Sequence, residues 1–337
     1  MLYYIPIEPY ETRYTADWIK DYEETFDKLG VSYTTILGKT NSSTVTNGGV
    51  LDACGTHLYK FNQLQELITR IQNKQIVDGD ILFFADLWFP GIESLFYIRN
   101  MLNVKFKICG IFHAGTYDYA DFTYRNGMRN WGRHLETCWF SEIDQIFVAT
   151  EFHKRLLWSN SDKIRGLLSK VTVTGLPFFG ERLRMKYGTE KAPENILVFP
   201  HRTDAEKHPE MFDELVSWLR DRGVDFVPVK TILETNSRDE YFKVLAKSKV
   251  MVSFADQETF GYSTLESMAL GNIVIVPNRL SYTETVPEEF RYNTKQECFN
   301  MAFNAFTRYS MPDYSNTYVK WENAIPNMLT AMGVINV

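Results

Sequence analysis

The sequence predicts an α/β protein with two doubly wound, Rossmann-like domains that face each other across a cleft. Short apolar runs alternate with helical patterns along the chain, as expected for βαβ units that build parallel sheets. The alternation is interrupted by a polar segment at 180–194 and restarts at Asn195, which indicates a second domain. At 337 residues, the chain is long enough for two domains of ordinary size.

The first domain is predicted to span residues 1–180, on the acceptor side of the cleft. Its strands are predicted from six short apolar runs: Leu2–Ile7, Ser32–Leu37, Ile81–Ala85, Phe106–Phe112, Gln145–Ala149 and Val171–Thr174. Helical patterns between these runs, at Ala16–Leu29, Phe61–Asn73 and Ile92–Leu102, supply the crossovers that parallel strands require. Residues 181–194, with Gly188 and Pro193, are predicted to form the linker.

The second domain is predicted over residues 195–310. Its predicted strands are Asn195–Pro200, Asp225–Val229, Val250–Ala255 and Ile273–Pro277. One helix is expected to begin near Pro209, a second after the capping box Ser237–Glu240, and a third after Gly261. The tail, 311–337, contains a helical pattern at Tyr318–Met328 that we expect to pack back on the first domain.

The composition is that of an ordinary globular protein, with 45% hydrophobic and 23% charged residues. No apolar run is long enough to span a bilayer, and the N-terminus has no basic region typical of a secretory signal. These features predict a cytoplasmic protein without a membrane partner. The four cysteines are scattered and lack a C-x-x-C pair, which argues against a disulfide framework or a zinc site.

The most informative segment is Gln257–Glu266, which follows a predicted buried strand and leads into a helix ended by Gly271. A strand that turns through Gly261 into a helix directs backbone N–H groups outward, where they favour phosphate. We therefore predict a phosphate site at Phe260, Gly261 and Tyr262. A carboxylate at Glu258 can accept sugar hydroxyls, and Glu266, about one turn into the helix, is within reach of a ribose diol. This combination is expected of a nucleotide-sugar site.

The second half resembles the retaining family 4 of the GT-B glycosyltransferases. That family has two glutamates separated by seven residues around a Phe-Gly turn, matched here by Glu258 and Glu266. It also has an Arg and then a Lys five positions on, matched by Arg202 and Lys207. Three short sequences are similar to those of two narrower groups. They are Phe-Pro-His-Arg at 199–202, Lys-His-Pro-Glu at 207–210 and Pro-Asn-Arg-Leu-Ser-Tyr at 277–282. The two groups are the tRNA-queuosine mannosyltransferases and phage-encoded, DNA-modifying glycosyltransferases.

The resemblance in sequence covers about residues 195–292. Before residue 195 it is limited to the predicted architecture. It implies a retaining enzyme with a UDP- or GDP-sugar as donor and no metal required for the leaving group, and a host-cytoplasmic location if the protein is phage-encoded. The glycine-rich loop that many members carry after their first strand is missing, since this place holds residues 5–13, Ile-Pro-Ile-Glu-Pro-Tyr-Glu-Thr-Arg.

Negative charge develops on the diphosphate as it departs. Fixed cations directed at the diphosphate are therefore the main catalytic requirement. Arg202 offers a planar fork for phosphate oxygens, and Lys207 a compact point charge. The alternative is that both are ordinary surface residues of a strand-to-helix loop. For Glu266 the alternative is a first-turn carboxylate stabilised by the helix dipole, worth ~0.3–1 kcal/mol.

Two residues at strand ends are the catalytic candidates of the first domain. The resemblance implies that His113 touches the transferred sugar near the reacting carbon; the alternative is a core or loop histidine. Asp86 is a candidate to accept the proton of the incoming hydroxyl or to orient the acceptor, with helix N-capping as the alternative.

An aromatic and basic segment at 118–134 predicts a nucleic-acid acceptor. Aromatic rings stack on unpaired bases and arginines contact phosphates; the predicted acceptor residues are Tyr124, Arg125, Arg129, Trp131 and Arg133. Residues 99–185 carry 13 Lys and Arg against 8 Asp and Glu, which fits an anionic partner. A hydroxymethylpyrimidine in DNA is the preferred acceptor and a modified tRNA base the next. Three alternatives remain. The acceptor is a glycan or a lipid carrier, or the protein is a non-catalytic binding module. For the segment itself, the alternative is partly buried aromatic residues beside solvated arginines.

Overall fold

A computed structural model describes residues 1–10, 13–39, 52–160, 165–189, 192–308, 310 and 312–336. The chain divides into two compact units, the first made of residues 1–10, 14–175 and 325–337 and the second of 11–13 and 176–324. Each unit contains one parallel β-sheet with helical crossovers. The prediction of two α/β domains with parallel sheets is confirmed.

The first unit has six strands, in the order β2-β1-β3-β4-β5-β6. They are β1 (Leu2–Ile5), β2 (Tyr33–Thr35), β3 (Ile81–Phe84), β4 (Lys107–Ile111), β5 (Gln145–Val148) and β6 (Val171–Val173). The helices are α1 (Trp18–Lys28), α2 (Gly55–Gln72), α3 (Glu93–Leu102), α4 (Phe122–Arg125), α5 (Arg129–Glu142) and α6 (Glu151–Asn160). The chain leaves β1 towards β2 and then returns to the other side, so the topological switch lies between β1 and β3.

The second unit has five strands, in the order β11-β10-β9-β7-β8. They are β7 (Ile196–Phe199), β8 (Val227–Lys230), β9 (Val250–Val252), β10 (Ile273–Pro277) and β11 (Arg291–Tyr292). The helices are α7 (Gly180–Tyr187), α8 (Pro209–Arg220), α9 (Thr231–Glu234), α10 (Arg238–Lys247), α11 (Tyr262–Ala269), α12 (Tyr282–Thr285), α13 (Lys295–Thr307) and α14 (Ser315–Tyr318). The switch in this sheet lies between β7 and β9.

Both sheets are buried on two faces, and each unit has its own core. In the first core Tyr4 packs against Tyr22, Phe26 and Phe83, with ring centroids 4.9 to 5.9 Å apart. In the second, strand residues such as Leu197, Val250 and Ile275 are fully buried against the crossover helices. This burial explains why the strands read as continuous apolar runs in the sequence.

The segment predicted as a linker is helical over half of its length. Residues 180–187 form α7 inside the second unit, where Glu181 accepts a hydrogen bond from the Tyr318 hydroxyl at 3.0 Å and Tyr187 packs on Phe242. Its polar composition reflects the exposed face of a short helix, and the two units divide earlier, at Gly175. Residues 190 and 191 of the predicted linker lie outside the described residues.

The C-terminal helix is α15 (Ala324–Met332), preceded by a 3-10 turn at Val319–Asn323. Residues 325–337 belong to the first unit, and the Tyr22 hydroxyl of α1 donates to Met328 Sδ at 3.5 Å. None of the helices in the described part of the chain combines the length and apolar character needed to cross a bilayer.

Candidate active site

The site predicted in the second unit lies at the switch between β7 and β9. The loop after β7 carries Arg202 and Lys207, and the loop after β9 carries Glu258. Because β7 and β9 are adjacent and parallel, their carboxyl ends meet at one edge of the sheet. Crevices at such switch points are the usual ligand sites of open α/β sheets.

Lys207 connects these two loops through its side chain. Its side chain is 8% exposed, its ammonium donates to the backbone carbonyl of Gln257, and Nζ lies 3.6 Å from Glu258 Oε2. The structure thus brings together a predicted phosphate ligand and a predicted sugar ligand. An ordinary surface lysine would not be buried this far, so that alternative does not describe Lys207.

The turn into α11 depends on Gly261, which has φ +89° and ψ 52°. A side chain at this left-handed position is strained, whereas glycine adopts it readily. The predicted phosphate donors are not all directed outward, because Glu258 Oε1 accepts from Gly261 N at 3.0 Å and from Phe260 N at 3.4 Å. The carboxylate thus accepts from two amides of the turn that precedes α11, an arrangement that sequence spacing does not reveal.

Two aromatic side chains at the turn have structural contacts. The Phe260 ring is buried and packs on Trp321, with centroids 5.2 Å apart, so only its backbone is available for the predicted role. The Tyr262 hydroxyl donates to the carbonyl of Pro177 at 2.9 Å. The next amide of α11, that of Ser263, belongs to the first turn, where the helix itself supplies no acceptor. Phosphate binding at this helix start stays a prediction.

Arg202 is held by two carboxylates of its own loop. Its Nη1 lies 2.7 Å from Asp204 Oδ2 and its Nη2 3.5 Å from Glu206 Oε1, with 38% of the side chain exposed. These contacts orient the guanidinium at the edge of the sheet. An incoming phosphate must compete with them for its N–H groups.

His201 is a buried residue of this site that sequence reasoning missed. Its Nδ1 lies 3.5 Å from the Ser263 hydroxyl, and its Nε2 is buried without a hydrogen-bond partner among the described residues. Burial holds the pKa of His201 well below its ordinary value, and the charges of Lys207 and Arg202 lower it further. The ring is therefore neutral. The sequence feature that could have identified His201 is its position between strand β7 and Arg202.

Glu266 lies in a buried polar cluster. Its Oε1 accepts from Arg238 Nη2 at 2.9 Å and its Oε2 from the Tyr241 hydroxyl at 2.8 Å, with 6% of the side chain exposed. This is more than a dipole-stabilised surface carboxylate. Ribose binding by Glu266 stays a prediction, and both oxygens already have donors from α10 that a ribose must share or displace.

In the first unit, Asp86 follows β3 directly, next to the switch between β1 and β3. Its Oδ2 lies 2.8 Å from Lys60 Nζ, and its Oδ1 accepts from Trp88 N at 3.0 Å. Burial opposes ionisation, but the charge of Lys60 and the hydrogen bonds from Lys60 and Trp88 keep the pKa of Asp86 below its ordinary value. Helix α3 begins at Glu93, so Asp86 is not its N-cap. A carboxylate held in this way orients a hydroxyl better than it removes its proton.

His113 follows β4, the neighbour of β3. Its Nε2 lies 2.7 Å from the Ala85 carbonyl, and its ring packs on Trp18 with centroids 5.5 Å apart. Burial lowers the pKa of His113, although Asp86 opposes this. Because a carbonyl only accepts, Nε2 carries the proton of the neutral ring and Nδ1 the lone pair. The structure therefore brings two catalytic candidates to the same edge of the sheet.

The aromatic and basic segment does not form one interleaved surface. Arg129 Nη1 donates to the Tyr124 hydroxyl at 3.0 Å and its guanidinium lies 5.1 Å from that ring. Arg129 and Arg133 are four positions apart on α5 and share a side of the helix, whereas Trp131 lies about half a turn round. Trp131, 48% exposed, packs edge-on against Trp88 instead.

Arg125, at the end of α4, is exposed, as are Arg129 and Arg133. The helical period thus separates the predicted stacking residue from the arginines of α5. Acceptor binding by these residues stays a prediction. Within the described ranges, no group of three or more His, Cys, Asp and Glu side chains is arranged to hold a metal ion.

No protein-family model matches the chain. A tRNA-queuosine α-mannosyltransferase from Drosophila melanogaster is 30% identical over 131 residues, which cover 32% of this chain and 35% of that protein. The matched region thus spans about a third of the length of this curated relative.

Several solved structures match over nearly the whole chain. An α,α-trehalose-phosphate synthase (UDP-forming) from Burkholderia vietnamiensis has a TM-score of 0.60 at 11% identity, over 99% of this chain and 97% of that one. An α-glucosyltransferase in complex with UDP and a 13-mer DNA containing a central A:G mismatch has a TM-score of 0.57 at 14% identity, over 97% and 94%. The chain has the GT-B glycosyltransferase fold.

Proposed function

We propose that this protein is a retaining glycosyltransferase that moves a sugar from a nucleotide sugar to a hydroxyl on a modified nucleic-acid base. The observation that carries the proposal is the contact of Lys207 with the Glu258 loop at the switch between β7 and β9. A buried cation, a carboxylate and a helix start at one sheet edge suit a diphosphate joined to a sugar.

In this proposal the second unit stabilises the leaving diphosphate. Lys207 and Arg202 supply positive charge where negative charge develops, and the first turn of α11 supplies N–H donors. Glu258 accepts hydroxyls of the donor sugar, and Glu266 accepts those of the ribose. Since Glu258 accepts hydrogen bonds from the Phe260 and Gly261 amides, donor binding exchanges these internal contacts for contacts with the ligand.

Asp86 and His113 are proposed to act on the sugar and the acceptor hydroxyl. Asp86 orients the hydroxyl, and neutral His113 offers a hydrogen-bonding nitrogen beside the transferred sugar. The departing phosphate helps to remove the acceptor proton on the same face of the sugar. This retaining course rests on the resemblance to family 4.

The acceptor is proposed from the exposed arginines and aromatic rings of α4 and α5. The sequence relative favours tRNA, and a hydroxymethylpyrimidine in DNA is the second acceptor. Arg125, Arg129 and Arg133 would contact phosphates, while Tyr124 and Trp131 would stack on bases. Because Trp131 is on another side of α5 from the arginines, the strand would have to pass around the N-terminal end of this helix.

The test is a transfer assay with labelled UDP- and GDP-sugars. The acceptors are hydroxymethylated DNA, unmodified DNA and total tRNA, with the Lys207→Met variant as the inactive control. Label in tRNA or in hydroxymethylated DNA, and none in unmodified DNA, is the expected result. Transfer to no nucleic acid, with any of the donors, would refute the proposed acceptor.

A further inference from the structure

His208 contacts two carboxylates immediately beside Lys207. Its Nε2 lies 2.6 Å from Asp256 Oδ2 and its Nδ1 2.8 Å from Glu210 Oε1. A neutral imidazole has one N–H, whereas the imidazolium has two and satisfies both carboxylates. The hydrogen bond to Asp256 raises the pKa of His208 above its ordinary value, partial burial opposes this, and Glu210 adds to the increase.

The backbone at His208 is fixed as well. Its φ is 54° and its ψ 56°, in the left-handed region, and it is the N-cap residue of α8. Non-glycine residues adopt this conformation uncommonly, and histidine is among the types that are enriched there. From this position the ring contacts both Glu210 in the first turn of α8 and Asp256 in the loop after β9.

Asp256 extends this contact to a third loop. Its Oδ1 lies 2.6 Å from Arg279 Nη2, and Arg279 also donates to the Ala255 carbonyl at 3.2 Å. The backbone N–H of Asp256 donates to the Glu206 carbonyl at 2.8 Å. One carboxylate therefore connects the loops that follow β7, β9 and β10.

The residues proposed to bind the donor are next to this network. Lys207 precedes His208, and Glu258 is two residues after Asp256. The ammonium of Lys207 donates to the carbonyl of Gln257, which lies between Asp256 and Glu258. We expect a change at the His208–Asp256 contact to shift the position of Lys207 relative to Glu258.

We propose that His208 is a positioning residue, which in its protonated form holds the loop of Lys207 against the loop of Glu258 so that both engage the donor. This inference rests on the proposed function. The charged groups around the ring are Asp256 and Glu210 in contact, Arg279 beyond Asp256, and Lys207 next in the chain. A raised pKa means that the contact is fully present below the ordinary value of about 6.5 and is lost as the pH rises through the raised value.

The experiment measures kcat and KM for the donor from pH 6 to 9 in the wild type and in His208→Gln. We expect kcat/KM to fall with rising pH in the wild type, and to be lower by about 10- to 100-fold at pH 6.5 in the variant, with a flatter profile. Asp256→Asn, which leaves the His208 backbone unchanged, should flatten the profile in the same way. His57→Gln, at a partly exposed histidine of α2, is the matched control and should follow the wild type.

A proton NMR titration of the histidine rings supplies a readout that does not depend on turnover. His208 should titrate above about 6.5 in the wild type and lower in Asp256→Asn. Titration at or below the ordinary value, or a His208→Gln profile that matches the wild type, overturns the positioning role while leaving the proposed function standing. A wild type that turns over no nucleotide sugar removes the proposed function, and the positioning role with it.

Discussion

Replacing Lys207 by methionine tests the electrostatic core of the proposed site. Methionine keeps most of the length and the apolar stem but removes the charge, which lies 3.6 Å from Glu258 Oε2 in an environment with 8% side-chain exposure. A preorganised donor of this kind contributes about 10²–10³ in kcat when it faces charge that develops in the transition state. The hydrogen bond to the Gln257 carbonyl is also lost, which costs about 1.5–3 kcal/mol of stability for a charged donor.

The assay is single-turnover transfer at saturating donor, together with calorimetric binding of the nucleoside diphosphate and urea unfolding. The matched control is Lys243→Met, at a lysine of α10 that is 64% exposed and paired with Asp239. We expect the control to keep wild-type turnover, since exposed pairs contribute little. A Lys207→Met variant that remains folded and retains kcat within about threefold of the wild type would refute the reasoning, since a single catalytic donor contributes far more.

Three further substitutions give defined outcomes. Glu258→Gln keeps an oxygen for the Gly261 amide but removes the carboxylate, so donor kcat/KM should fall by about 10²-fold in a transfer assay while urea unfolding changes by less than about 1 kcal/mol. Gly261→Ala places a Cβ at φ +89°, 3.4 Å from Tyr282 Cε1, and should lower the free energy of unfolding by about 1–2 kcal/mol. Tyr241→Phe removes the 2.8 Å hydrogen bond to Glu266 and should cost about 1.5–3 kcal/mol in the same unfolding measurement.

Each has its own contradicting result. Unchanged donor kinetics in Glu258→Gln would remove the glutamate from the site. An alanine at Gly261 that leaves stability unaltered would mean that the left-handed turn is not required. For Tyr241→Phe the control is Tyr187→Phe, whose partner Asp239 is exposed; equal losses in the two variants would show that the burial of Glu266 adds nothing.

Much of the fold was predictable because buried parallel strands are continuous apolar runs. All ten strands expected in the two domains are present, with ends shifted by up to three residues. The eleventh, Arg291–Tyr292, was missed because two residues, one of them charged, give no periodic signal. Helix α7 was missed because its composition is that of a solvent-exposed loop, and its contacts with Tyr318 and Phe242 are distant in the sequence.

The candidate site was predictable in its location but not in its internal contacts. The strand-turn-helix pattern was sufficient to place Glu258 beside Gly261. It gave no indication that the Glu258 side chain folds back onto the turn, because that depends on a rotamer. The partners of Glu266 on α10, Arg238 and Tyr241, are 28 and 25 positions away and were invisible to spacing arguments.

A crystal structure of the protein with a nucleoside diphosphate tests the central claim most directly. We predict that the phosphates lie at the carboxyl ends of β7 and β9, within hydrogen-bonding distance of Lys207 and the first amides of α11. A nucleotide bound at another place in the molecule, with Lys207 still donating to Gln257 and Glu258 still capping its turn, would contradict the account.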